Sequence, residues 1–138
     1  MAVGLFTAPI FYMIGTADFL HSFFSTIVYR LEDSDWGSRF PVLMNELFID
    51  GITHTQSEAA LQELAVIKKE LAGLSPDQVI WDIEDLSKQP PWGVDIAHTI
   101  TNLSNYFVTS DGKQLITVFE TALNTSISTQ RPLIIRSM

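Results

Sequence analysis

The stretch Val3–Ile14, VGLFTAPIFYMI, followed closely by Leu20, Phe23, Phe24, Ile27, Val28 and Leu31, decides the fold class of this chain. Its β-branched, aromatic and aliphatic residues suit a buried strand. Pro9 has no N–H to give to a ladder, so it divides the stretch into two short strands or kinks an edge strand. The apolar residues after it recur in steps of three and four, which is the wide stripe of a core helix. Thr16 or Asp18 is placed to cap that helix by accepting from its free first-turn N–H groups.

Outward from there, Glu32–Gly37 is a polar loop, and Pro41–Ile49, PVLMNELFI, fits either helix or strand. Thr55 with Glu58 matches a capping box, and Leu61, Leu64, Ile67 and Leu71 mark the inner face of a second helix ending at Gly73. Glu63, Lys68, Lys69 and Glu70 then fall on its solvent side. Val79–Ile83, VIWDI, alternates at period two and predicts a strand. The prolines of Glu84–Gly93, EDLSKQPPWG, impose a long loop. Asn102–Val108 is ambiguous, with a short strand suggested by its YFV. Ser110 or Asp111 can cap a third helix carrying Leu115, Ile116, Phe119, Ala122, Leu123 and Ile127, whose last turn is weakened by β-branched residues. Pro132 ends it, and Leu133–Arg136 reads as a final strand. The expectation is one α+β domain over residues 1–138, with three amphipathic helices packed on a small mixed sheet.

The 138 residues are 46% hydrophobic, enough for one sizeable core. There is no cysteine, which removes disulfides, thiolate metal sites and cysteine nucleophiles. Only 17% of residues are charged, yet acidic outnumber basic sixteen to eight, for a net charge of −8. Such a field repels nucleic acid and anionic lipid and attracts basic surfaces, so direct nucleic-acid binding is not expected and a basic protein partner is. The uncharged first seventeen residues lack a basic start and are interrupted by Gly4, Pro9 and Gly15. Neither a signal peptide nor a membrane span is expected there, and the cytoplasm is the default location.

No GxSxG, GxxxxGK[ST] or GxGxxG motif is present, and His21, His54 and His98 are far apart in sequence. No catalytic residue, cofactor or metal ligand is assigned. Two acidic clusters stand out, each with a tryptophan in or beside it. Glu32, Asp33 and Asp35 precede Trp36, at a helix C-terminus where negative charge opposes the macrodipole. Asp82, Glu84 and Asp85 follow the VIWDI segment, with Trp92 in the stiff QPPWG loop. The second cluster can be a solvated rim, a metal or acid–base site, or a partner-binding patch. Trp92 either anchors an interface or covers the core.

The stretches VGLFTAPIFYMIGTADFLHSFFSTI, GSRFPVLMNELF, IWDIEDLSKQPPWG and TNLSNYFVTSDGK together resemble the bacterial polymorphic-toxin immunity proteins of the immunity protein 70 family. The resemblance covers nearly the whole chain. It implies an antidote that binds the C-terminal domain of a secreted or contact-delivered toxin, often a nuclease, and covers its active site. The partner-binding residues expected from charge, exposure and stiffness are Glu32, Asp33, Asp35, Trp36, Asp82, Glu84, Asp85 and Trp92. Two alternatives remain: a small metal-dependent enzyme using Asp82, Glu84 and Asp85, and a homodimeric structural or regulatory module.

Overall fold

Pro9 ends one strand and lets the next begin: β1 (Ala2–Thr7) and β2 (Ile10–Thr16) form an antiparallel hairpin around it. A computed structural model describes residues 2–93 and 96–137 of the chain. The hairpin is followed by α1 (Ala17–Arg30), α2 (His54–Leu71), α3 (Leu115–Thr129) and β3 (Ile134–Ser137). The sheet order is β2-β1-β3, with both pairings antiparallel. The α+β class is as expected, but the sheet is antiparallel throughout rather than mixed.

Register fixes the two faces of the sheet. Leu5 pairs with Tyr12 and Ile135, so these point together toward the helices, and the Tyr12 hydroxyl meets Thr125 of α3 at 2.8 Å. Gly4, Phe6, Phe11, Met13 and Ile134 share the opposite face. There a Cβ on Gly4 would lie 2.2 Å from the Tyr12 carbonyl oxygen, so only glycine lets the two strands approach.

α1 and α3 pack on β1 and β2, while α2 packs chiefly on α3. Phe23 of α1 stacks on Phe119 of α3 at 5.5 Å, with Phe107 edge-on at 5.2 Å. Each such fully buried side chain contributes about 1.5–3 kcal/mol. α1 is the centre of the fold, since every residue from Phe19 to Val28 except His21 is buried. Thr16 caps it by accepting from the Phe19 N–H.

Val79–Ile83 is not a strand. Its backbone bonds go to hydroxyls on α1 instead of a ladder. Thr26 Oγ1 accepts from the Ile80 N–H at 3.0 Å, Ser22 Oγ donates to the Ile80 carbonyl at 2.8 Å, and Ser25 Oγ accepts from the Ile83 N–H at 3.1 Å. Buried polar backbone must be paired, and a helix side bearing three hydroxyls pairs it as a neighbouring strand would.

The undecided Pro41–Ile49 region contains a π-helical turn, Val42–Leu47. Glu63 of α2 accepts the free N–H groups at its start, Val42 at 3.1 Å and Leu43 at 2.9 Å. Glu70 receives both terminal nitrogens of Arg39. Two of the four residues placed on the solvent side of α2 therefore bind the 39–47 segment.

The box that caps α2 is Thr53 with Gln56, two residues earlier than Thr55 with Glu58. Ser110 and Asp111 lie in the turn before α3, closed by the Val108–Gln114 bridge, and the N-cap position is Gln114. Val108 takes part only in that isolated bridge, with no strand across 102–108. α3 holds its last turn through Thr129 and ends on Gln130 in a left-handed conformation.

Candidate functional site

The two acidic clusters lie toward opposite ends of α1. Gln78 meets Arg30 and Asp82 meets His21, so the 78–82 segment runs back along the helix. The helical rise between His21 and Arg30 puts the clusters on the order of 15 Å apart. They do not form one patch.

Of the first cluster's carboxylates, only Glu32 is taken into the fold. Leu31 ends α1, and Asp33 and Ser34 adopt left-handed conformations that turn the chain back. Gly37, at φ +80°, completes the turn, and a Cβ there would collide with the Asn45 side chain. The turn aims the N–H groups of Gly37, Arg39 and Phe40 at the Glu32 carboxylate, each at 3.0 Å. Glu32 is only 2% exposed. Its carboxylate organises a loop, and it has no surface to offer a partner. Trp36 is half-buried against Phe48 and Phe24, and its Nε1 donates to the Met44 carbonyl at 2.8 Å. Asp33 and Asp35 remain exposed.

The second cluster faces outward. Asp82, partly buried, accepts the Glu84 N–H at 2.9 Å and lies 3.5 Å from Lys88 Nζ and 3.9 Å from His21 Nδ1. Glu84 and Asp85 are exposed. The hydroxyl and N–H of Ser87 both bond Asp85 and hold its carboxyl below the usual range.

Trp92 packs against the core and keeps part of its surface exposed. Its Nε1 donates to the Tyr106 hydroxyl at 2.8 Å, and its ring meets Trp81 edge-on at 5.4 Å and Phe19 at 6.4 Å, yet it is 39% exposed. Burial pushes the Tyr106 phenol up, so it stays neutral as the acceptor. Trp92, Trp81, Phe19 and Val108 line one cleft, of 380 Å³. His21, Phe48, Asp82 and Glu84 line another, of 450 Å³. Asp18 belongs to both walls, so aromatic and carboxylate surfaces adjoin at the N-terminal end of α1.

Asp18 and His21 were not among the residues expected here. His21 sits 6.3 Å from Phe48 while also facing Asp82. Asp18 is exposed and His21 partly buried on the first turns of α1, and no spacing in the sequence ties them to residues 82–85.

This surface places exposed carboxylates near a partly exposed tryptophan held by Tyr106. Among the described residues no helix is long and apolar enough to cross a membrane. No match is found among curated proteins or among solved structures. The family described as Immunity protein 70 matches residues 5–135, almost the full length. With that extent of agreement the chain belongs to the Immunity protein 70 family, and its role is that of an immunity protein with a cognate toxin as partner.

Proposed function

We propose that the chain neutralises a basic nuclease toxin domain by binding it through the surface that joins Asp82, Glu84, Asp85 and Trp92, without catalysis of its own. The observation that carries this reading is the adjacency of exposed carboxylates to Trp92 around Asp18. A nuclease must hold phosphates, so its active site is basic, and carboxylates presented at close range compete for those positions. Long-range attraction follows from the net charge of −8. Asp33 and Asp35, at the far end of α1, add to the field and would contact only a partner broad enough to span the helix. Binding in the cytoplasm, where the toxin acts after delivery, completes the reading.

The test is co-expression with the toxin domain encoded beside it, read as co-purification and as rescue of growth. A stable complex that restores growth supports the proposal. A complex with a toxin that leaves DNA and RNA intact removes the nuclease part alone, and absence of any complex removes the pairing.

A second reading rests on the outer sheet face, where Phe6, Phe11, Met13 and Ile134 are each partly exposed. Apolar faces of this kind pair in homodimers. Sedimentation at two concentrations that returns a monomer in both ends that reading.

A further inference from the structure

His21, Asp82 and Glu84 each bring one ligand atom to within 4.8 Å of the other two. They come from two elements: His21 from the second turn of α1, Asp82 and Glu84 from the segment that runs along it. The three line the wall of the 450 Å³ cleft, which leaves room for additional ligands. From this convergence we propose that the protein binds one divalent transition-metal ion, of which Zn²⁺ is the best fit, through a nitrogen of His21 and one carboxylate oxygen each from Asp82 and Glu84.

The chemistry of the donors selects the ion. Carboxylates alone favour Mg²⁺ or Ca²⁺, which prefer six or more oxygens, whereas an imidazole with two carboxylates suits Zn²⁺. Zinc bonds of about 2.0–2.1 Å put ligand atoms roughly 3.3 Å apart in a tetrahedron, so the three groups must draw in from separations of up to 4.8 Å by side-chain adjustment. Glu84 is exposed and free to make it. Ser25 supports the ring: its Oγ lies 3.4 Å from His21 Nδ1 and also accepts the Ile83 N–H. That hydroxyl ties the histidine to the segment carrying the two carboxylates, and with the metal on Nε2 it is the kind of outer contact on the other ring nitrogen that orients a histidine ligand. Lys88 Nζ, 3.5 Å from Asp82 Oδ2, is the cation that zinc would displace. Asp85 is outside the set, its oxygen being held by Ser87.

Three protein ligands leave a coordination position for water or for a side chain of a bound protein. The site stands independently of the antidote reading, because it is measured on the free chain.

The experiment is calorimetric titration of the untagged full-length protein with ZnCl₂. One equivalent should bind, and His21→Asn and Glu84→Gln should each weaken binding at least about tenfold. His98→Gln should leave it unchanged. Lys88→Ala should bind zinc more tightly, because a competing ammonium is gone. Glu84 and Lys88 are exposed, so both variants keep the fold. No saturable binding overturns the proposal, as does zinc affinity that Glu84→Gln and Lys88→Ala both leave unchanged.

Discussion

The Glu32 carboxylate reaches eight residues along the chain to accept the Phe40 N–H at 3.0 Å, and its other partners are the N–H groups of Gly37 and Arg39. Glu32→Ala leaves these three donors short of an acceptor in a nearly sealed site. The expected loss is about 3–5 kcal/mol, read by urea denaturation. Asp33→Asn and Asp35→Asn, on exposed residues, should stay within about 0.5 kcal/mol of the parent. Equal small effects at all three positions would contradict the buried role of Glu32.

Thr26→Val keeps the shape of the α1 side chain and removes its hydroxyl, which serves both the N–H and the carbonyl of Ile80. The expected cost is about 1–3 kcal/mol. It should appear first as faster hydrogen exchange at the Ile80 and Ile83 amides, with the amides of α3 unaffected. Uniform acceleration across the chain would mean that the 79–83 segment is not a separate unit of opening.

Two carboxyls give stability opposite dependences on pH. The Arg39 guanidinium bonds Glu70 and lowers its pKa from 4.5, so that pair stabilises above 4.5 and the effect is lost as pH falls through the lowered value. Burial raises Glu63 above 4.5, so the fold favours its protonated form, and this contribution is lost as pH rises from 4.5 through the raised value. Glu63→Gln should therefore flatten the decline in stability just above pH 4.5. Arg39→Met should flatten the decline below it. Chemical denaturation across both ranges separates the two, and identical pH profiles in both variants would exclude the assignments.

In complex with the toxin domain, Trp92→Ala should raise Kd about ten- to a hundredfold, chiefly through faster dissociation. Glu84→Gln with Asp85→Asn should instead slow association and reduce its dependence on salt. Trp92→Phe is the control for packing, because it keeps an aromatic ring beside Trp81 while losing the second ring of the indole and the bond to Tyr106. Kinetics that are the same for all of these variants would place the contact elsewhere.

What was legible in the sequence is what depends on local periodicity. Pro9 marked the break between the first two strands, and the three apolar stripes marked the helices, because a helix or strand displays its buried face at a fixed repeat. Misreadings arose where the partner lay far along the chain. Val79–Ile83 alternates as a strand does, but its bonding partners are Ser22, Ser25 and Thr26, more than fifty residues away. Three hydroxyls at helical spacing on a core helix were the missed sign that α1 has a second buried side. Glu32 looked like an unfavourable charge at a helix end, and only the left-handed turn at Asp33 and Ser34 reveals its acceptor role. Asp18 and His21 join the site by tertiary approach alone, which no spacing announces.

The clasp on Val79–Ile83 closes on main-chain atoms only: the Ile80 N–H and carbonyl and the Ile83 N–H. Main-chain atoms are the same whatever residue carries them. The side chains at 82, 84 and 85 are therefore decoupled from the fastening, in the way an interchangeable tool is decoupled from its handle. If these positions meet the toxin as proposed, a fold organised like this can exchange them one at a time while Ser22, Ser25 and Thr26 keep their grip, and so follow a changing adversary without refolding.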